Sequence, residues 1–224
     1  MKIAISGGGT AGHIYPAIAV GNELKKNDGV ELIYLGLKDS LEKKLSLDEG
    51  YKFYEIESAP FLKRPSFKTV KSYLKIVRGI LQAKKILKKE KVEAVFITGG
   101  FITGPVVIAA KLLNIPYYIH ESNAFPGITT RFLAKSCETL FYSYPETINR
   151  IKNYKKVSFS GTPIRENFLT NVKSDRTKIN EKPKIVSFGG SGGQKSLNEV
   201  VLELLKSREI TEYEWIHSCG LNWE

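Results

Sequence analysis

Cysteine is nearly absent from this 224-residue chain. The two that occur, Cys137 and Cys219, stand far apart and form no metal-type spacing. That speaks against a disulfide-stapled scaffold or a zinc ribbon and fits a reduced, cytosolic setting. No apolar run approaches the ~18 residues a membrane span needs, so none is expected. Met1-Lys2-Ile3 leads straight into a strand pattern, so no signal peptide is expected. No fixed-period repeat and no low-complexity segment is found. Acidic residues are also scarce: 23 Asp and Glu face 34 Lys and Arg, a net charge of +11. Such an excess points either to an anionic partner (nucleic acid, a phosphorylated ligand, an acidic lipid surface) or to a lysine-rich solvated surface. With 42% hydrophobic residues, 11 Tyr and 11 Phe, the chain has the means to build a core.

What is present is an alternation of strand and helix patterns. Apolar runs at 2–6, 31–35, 52–56, 94–98, 116–120, 139–142 and 157–159 read as strands. Helical spacing covers 16–26, a basic stretch 67–89, and 105–113 behind a Gly-Pro opening. Asp39 with Glu42 has the form of a capping box, and Gly50 is placed to end the short helix it starts. This order predicts α/β architecture, a parallel sheet with helices on both faces. Residues 169–183, "LTNVKSDRTKINEKP", read as a linker after a first domain, 1–168. The pattern then restarts with a strand at 184–188, a helix at 194–207 and a strand at 213–217. One βαβ unit cannot bury both faces of a sheet, so 184–224 reads as the incomplete opening of a second domain.

Four loops share a design: "SGGGTAGH" (6–13), "TGGFITGP" (98–105), "HESNAFPG" (120–127) and "FGGSGGQKS" (188–196). Each follows a strand. Ligands of open α/β sheets bind at the carboxyl ends of the strands, where glycines let backbone N–H groups approach an anion. Tight strand-to-helix turns alone would also account for any single loop. Gly7-x-Gly9-x-x-Gly12 matches the dinucleotide fingerprint, but the acidic residue expected after the second strand is missing. "GGSGGQKS" imitates a P-loop, but Gln194 stands where the glycine before the lysine belongs.

In combination, "GGTAGHIYPA" (8–17), "ITGGFITGP" (97–105), "HESNAFPG" (120–127), "SGTPIRENF" (160–168) and "FGGSGGQKSLNE" (188–199) resemble the MurG family of glycosyltransferases, in the family's order and over essentially the whole chain. The resemblance implies a GT-B fold, two Rossmann-like domains facing a cleft. It implies inverting transfer of N-acetylglucosamine from UDP-N-acetylglucosamine to undecaprenyl-diphosphate-MurNAc-pentapeptide in peptidoglycan synthesis, with no cofactor and no bound metal. It places the protein peripherally on the cytoplasmic side of the bacterial membrane, against an anionic surface, with no nucleic acid partner. Ala11 stands where the family usually has Gly, and Phe101 where it often has Tyr. Two other readings stay open: a GT-B transferase with another lipid acceptor, and a non-catalytic acceptor-binding half that needs a partner chain.

The chemistry needs a base for the attacking hydroxyl and cations or N–H groups for the diphosphate. His13 is either that base or an anion contact. Thr10, Ala11 and Gly12 line the same pocket through backbone groups. By resemblance, Asn123 contacts ligand, and Glu121 is a second base candidate or an orienting acceptor. Glu121 also reads as a structural carboxylate, and His120 as buried structure. By resemblance, Arg165 meets the UDP diphosphate. Gly190, Ser191 and Gln194 belong to the donor-side loop. His217 sits in no motif and receives no role. On the basic helix, Val70, Leu74 and Val77 with Lys71, Lys75 and Arg78 form either a membrane face or the sheet-covering and solvated sides of an ordinary helix.

Overall fold

The structure is a computed structural model that describes residues 1–61, 66–166, 168, 182–190, 192–207 and 212–220. The chain divides into two compact units, Met1–Asn171 and Val172–Glu224.

The first unit is one parallel sheet built from β1 (Lys2–Ser6), β2 (Glu31–Gly36), β3 (Lys52–Glu55), β4 (Ala94–Ile97), β5 (Tyr117–Glu121), β6 (Thr139–Tyr142) and β7 (Val157–Phe159). Their spatial order is β3-β2-β1-β4-β5-β6-β7. The chain returns to the middle of the sheet at β4, which pairs with β1 in the register Ile3↔Ala94 to Ser6↔Ile97. Among the described residues the helices α1 (Ala11–Lys25), α2 (Leu41–Asp48), α3 (Phe67–Lys89), α4 (Thr103–Leu112) and α5 (Ile128–Leu133) cover this sheet.

Both faces of the central strands are buried, which is why they read as unbroken apolar runs. Ala4, Ile33, Leu35, Val95 and Ile97 turn to one side and pack with Ala83 and Leu87 of α3 and Val106 and Val107 of α4. Ile3, Ile5, Tyr34 and Phe96 turn to the other and pack with Ile14, Ala17 and Ile18 of α1. Each fully buried aliphatic side chain contributes about 1.5–3 kcal/mol.

The structure moves three helix starts. α1 opens at Ala11, with Pro16 inside it, because the Thr10 carbonyl already accepts from His13 N and Ile14 N. The first turn of α1 is therefore made from the glycine loop itself. α2 is capped by Ser40, whose Oγ accepts from Lys43 N at 3.3 Å, and not by Asp39, which stands at φ 50°. Glu42 does not complete a capping box. Its carboxylate turns inward, 2% exposed, and accepts from Leu37 N. Gly50 does end α2, at φ 72°. α4 starts at Thr103, before the Gly-Pro pair. Helix α5 and the 3-10 turns Ala134–Ser136 and Pro145–Arg150 were not anticipated, because segments under two turns show no period.

The second unit holds β8 (Lys184–Phe188), α6 (Lys195–Ser207) and β9 (Glu214–Ser218), with β8 and β9 parallel from Lys184↔Glu214 to Phe188↔Ser218. Most of the expected linker lies outside the described residues.

Candidate functional site

In a doubly wound sheet the crevice lies where the strand order reverses. Here that point is between β1 and β4. The loops after these strands are "SGGGTAGH" and "TGGFITGP", so topology brings together two motifs that lie far apart in sequence. They meet backbone to backbone: Gly8 N donates to Gly99 O at 3.2 Å. A methyl group on Gly100 would stand 2.2 Å from Gly8 O, and one on Gly7 would stand 2.0 Å from Thr98 Oγ1. These glycines are needed for loop-on-loop packing, not for space around a ligand as the sequence suggested. Gly12 is different. A methyl group there would meet nothing closer than Thr10 Oγ1 at 3.9 Å, and the residue is exposed. Its bareness leaves room on the outer side of the loop.

His13 is half-buried at this junction. Its ring lies against Gly99, where an added methyl would come within 2.8 Å of Cδ2. Thr98 Oγ1 donates to the His13 carbonyl at 2.5 Å. Nδ1 lies 3.2 Å from Gly8 O and 3.2 Å from Thr10 Oγ1. A carbonyl only accepts, so the bond to Gly8 O puts the proton on Nδ1. In the neutral ring Nε2 then carries the lone pair, and it has no hydrogen-bond partner among the described residues. The N-cap Thr10 makes no side-chain cap bond, and the first turn of α1 holds no acid. The N–H groups of Ala11 and Gly12 precede any intrahelical acceptor, so Thr10, Ala11, Gly12 and His13 together form an uncapped positive helix terminus.

Glu121 ends β5 and is 3% exposed. Oε1 accepts from Asn123 N at 3.0 Å and Asn123 Nδ2 at 2.7 Å; Oε2 accepts from Gly127 N at 3.0 Å and Thr130 Oγ1 at 2.6 Å. Of the roles open for it, these contacts favour the orienting acceptor over the base. Asn123 is exposed, anchored by Glu121 and by Thr147 Oγ1, which donates to its carbonyl at 2.9 Å. Next to it His120 is 1% exposed, with Nε2 2.9 Å from Gly161 O and Nδ1 3.2 Å from Ser122 Oγ. Burial pushes its pKa below the usual imidazole value. His120 thereby joins the loop after β5 to the loop after β7.

Arg165 follows that second loop. Its guanidinium lies 4.2 Å from the centroid of the Tyr15 ring on α1 and 5.1 Å from that of Phe168. The stack draws the chain after β7 back onto the His13 helix. In the second unit Gly190, at φ 82°, and Gln194 belong to one turn before α6, closed by Gly193 N donating to Gly190 O at 3.1 Å. Ser191 lies outside the described residues. Lys195, the residue that imitates a P-loop lysine, pairs instead with Glu199 at 3.7 Å on the exposed surface of α6. A hollow of about 520 Å³ beside Lys135, Lys152 and Tyr154 lies next to the residues that precede β7, at the opposite end of the sheet from the glycine loops.

On α3 the side packed inward carries Thr69, Ser72, Gly79, Ala83 and Leu87. A methyl group on Gly79 would stand 1.8 Å from Glu57 O. This small-residue side seats the helix, so Val70, Leu74 and Val77 face outward, 58%, 53% and 52% exposed. Phe67, Leu81 and Tyr73 join them, and Tyr73 meets Phe61 edge to face at 5.4 Å. Lys71, Lys75 and Arg78 are exposed as well. Apolar side chains of a merely sheet-covering helix would be buried, and these are not. No helix among the described residues is long and apolar enough to cross a membrane.

Sequence reasoning singled out the loop that holds Thr98 and Gly99 but gave these two no individual role, and it missed Thr130. Each acts by touching a residue distant in sequence, which no local pattern reports.

Residues 3–142 match the model of the glycosyltransferase family 28 N-terminal domain. The chain is 41% identical over 214 residues to a UDP-N-acetylglucosamine–N-acetylmuramyl-(pentapeptide) pyrophosphoryl-undecaprenol N-acetylglucosamine transferase of Caldanaerobacter subterraneus subsp. tengcongensis, covering 93% of this chain and 59% of that protein. The enzyme of the same name from Halothermothrix orenii is 39% identical, over 99% of this chain and 61% of the relative. Among solved structures, that of Acinetobacter baumannii MurG superposes with a TM-score of 0.70 at 28% identity, covering 99% of this chain and 59% of that one. The chain thus spans about three fifths of the length of these curated relatives. These likenesses bear out the resemblance drawn from the five motifs and the GT-B type of α/β fold. The family model runs from β1 through β6, across both loops that meet at the switch point, and on that match the chain belongs to glycosyltransferase family 28.

Proposed function

We propose that this chain supplies the acceptor side of a transferase that moves N-acetylglucosamine from UDP-N-acetylglucosamine to undecaprenyl-diphosphate-MurNAc-pentapeptide. It works peripherally on the cytoplasmic face of the membrane and builds peptidoglycan. The observation that carries this reading is the placement of His13: Nδ1–H on Gly8 O and the lone pair of the neutral ring on Nε2, beside an uncapped helix terminus. The acceptor's diphosphate lies on the N–H groups of residues 10–12. Its sugar hydroxyl attacks the anomeric carbon of the donor, the carbon–oxygen bond to UDP breaks, and the hydroxyl proton passes to Nε2 of His13. Asn123, held by Glu121, orients the acceptor, and Arg165 meets the departing diphosphate. The glycine loop of the second unit, with Gly190, Ser191 and Gln194, receives the donor.

The relatives' shared name supports the choice of substrates, and the unpartnered Nε2 of the neutral ring supports the base, while the same ring as imidazolium would be the anion contact. The test is His13→Ala in the complete transferase, with UDP release followed for a panel of UDP-sugars and lipid acceptors. A base predicts kcat lower by about 10²–10⁴-fold, an acceptor KM nearly unchanged, and loss of the acid limb of the pH–rate profile. A raised acceptor KM with the limb intact assigns the contact role instead. Unchanged kcat and KM would leave His13 structural.

A further inference from the structure

In the second unit one chain of hydrogen bonds runs in a single direction. Trp215 Nε1 donates to Ser187 Oγ at 2.8 Å. Ser187 Oγ lies 2.8 Å from His217 Nδ1, and His217 Nε2 lies 3.0 Å from Asn198 Oδ1. Asn198 Nδ2 donates to Cys219 O at 2.9 Å. Both ends fix the polarity. An indole N–H only donates and a carbonyl only accepts. Asn198 gives its amide N–H to Cys219, so its oxygen faces His217, and Nε2 must carry the proton. Nδ1 is then an acceptor, and the Ser187 hydroxyl donates to it. Asn198 is 3% exposed, and His217 and Ser187 are half-buried. The three come from β9, α6 and β8, so the network ties every described element of this unit together.

The carbonyl at the end of the network carries the glycine loop. A methyl group on Gly193 would stand 2.0 Å from Cys219 O, and one on Gly220 would stand 2.2 Å from Gly193 N. The loop before α6 therefore rests on the backbone that Asn198 holds, and the position of Asn198 depends on His217. We propose that His217 is a positioning residue for this loop: by accepting from Ser187 and donating to Asn198, it sets where the loop's N–H groups meet the diphosphate of a nucleoside-diphosphate sugar. The proposal rests on the donor-side reading of that loop given above. His217 touches no substrate.

Two experiments test it. Long-range nitrogen–proton correlation on this chain reads the tautomer directly, and only three histidines need assigning. The Nε2–H tautomer of His217 is expected; the Nδ1–H tautomer overturns the network. In the complete transferase, His217→Phe keeps the ring's bulk without either bond and is expected to raise the donor KM roughly tenfold, with acceptor KM unchanged. His217→Gln keeps a donor for Asn198 and is expected to recover most of that loss. A donor KM equal to wild type in His217→Phe refutes the role. So does an equal fall in affinity for both substrates. If His217→Phe does not fold, the tautomer measurement still decides. Wild-type turnover in the same assay separates failure of this proposal from failure of the transferase reading.

Discussion

Glu121 shows how much one buried carboxylate can organise. Its four donors span residues 123–130, so it shapes the whole turn that carries Asn123. Glu121→Ala leaves two backbone N–H groups unpaired and is expected to cost about 2–4 kcal/mol in denaturant unfolding. Glu121→Gln should cost less in stability and retain turnover, whereas a catalytic base would lose it. His120 makes a pH prediction. Its folded pKa is depressed, so above about pH 6.5 the ring is neutral in both folded and unfolded states and contributes no pH dependence. As pH falls below that value the unfolded chain takes up the proton first, and stability is lost. His120→Asn should flatten unfolding midpoints between pH 7 and 5; an unchanged slope would assign that loss to other groups. Glu90 acts in the opposite range. Tyr54, Lys52 and Lys2 hold its carboxyl down at about 2, so it stabilises above the ordinary carboxylate pKa and loses that contribution as pH falls toward 2. The free thiols differ in setting: Cys137 is buried and pushed up to about 11, an unreactive site.

At the scale of elements, α3 inverts the usual amphipathic rule. Small residues seat it and larger apolar side chains face out. A basic helix with that outer face suits an anionic bilayer, where apolar groups insert and lysines meet headgroups. Replacing Val70, Leu74 and Val77 with Ser is expected to change stability by no more than about 0.5 kcal/mol, as at other exposed sites. Sedimentation with anionic vesicles should fall sharply, and wild-type binding should weaken as salt rises. Full vesicle binding by the folded triple variant would remove the membrane role. Gly79→Ala tests the seating: its methyl would collide with Glu57 O, so it should destabilise by about 1–3 kcal/mol.

For the molecule as a whole, the two units differ in how much core they hold. Among the described residues, the first buries both faces of its central strands, whereas the second pairs two strands under one helix, with Val186 and Ile216 more than half exposed. Two-stranded sheets are marginal alone. Both tryptophans, Trp215 and Trp223, fall in the second unit. Tryptophan fluorescence should therefore report an unfolding transition at lower denaturant than far-UV circular dichroism, which the first unit dominates. Coincident transitions would show that the units unfold as one.

The sequence by itself determined the alternation of elements, the parallel sheet and the glycine loops at the strand ends. Those rest on local patterns: continuous apolar runs, helical spacing, and glycine, proline and histidine at strand ends. Asn123, His13 and Arg165 could be named as candidates because their motifs are contiguous. Tertiary structure alone decided what the glycines are for, since Gly7, Gly99 and Gly100 meet partners across the β1–β4 junction. It also decided that Glu121 is committed to its own turn, that Val70, Leu74 and Val77 face outward, and that His217 belongs to a network. In each case the residue's role is set by contacts across elements, and sequence periodicity carries no record of which neighbour a side chain finds once the sheet has closed.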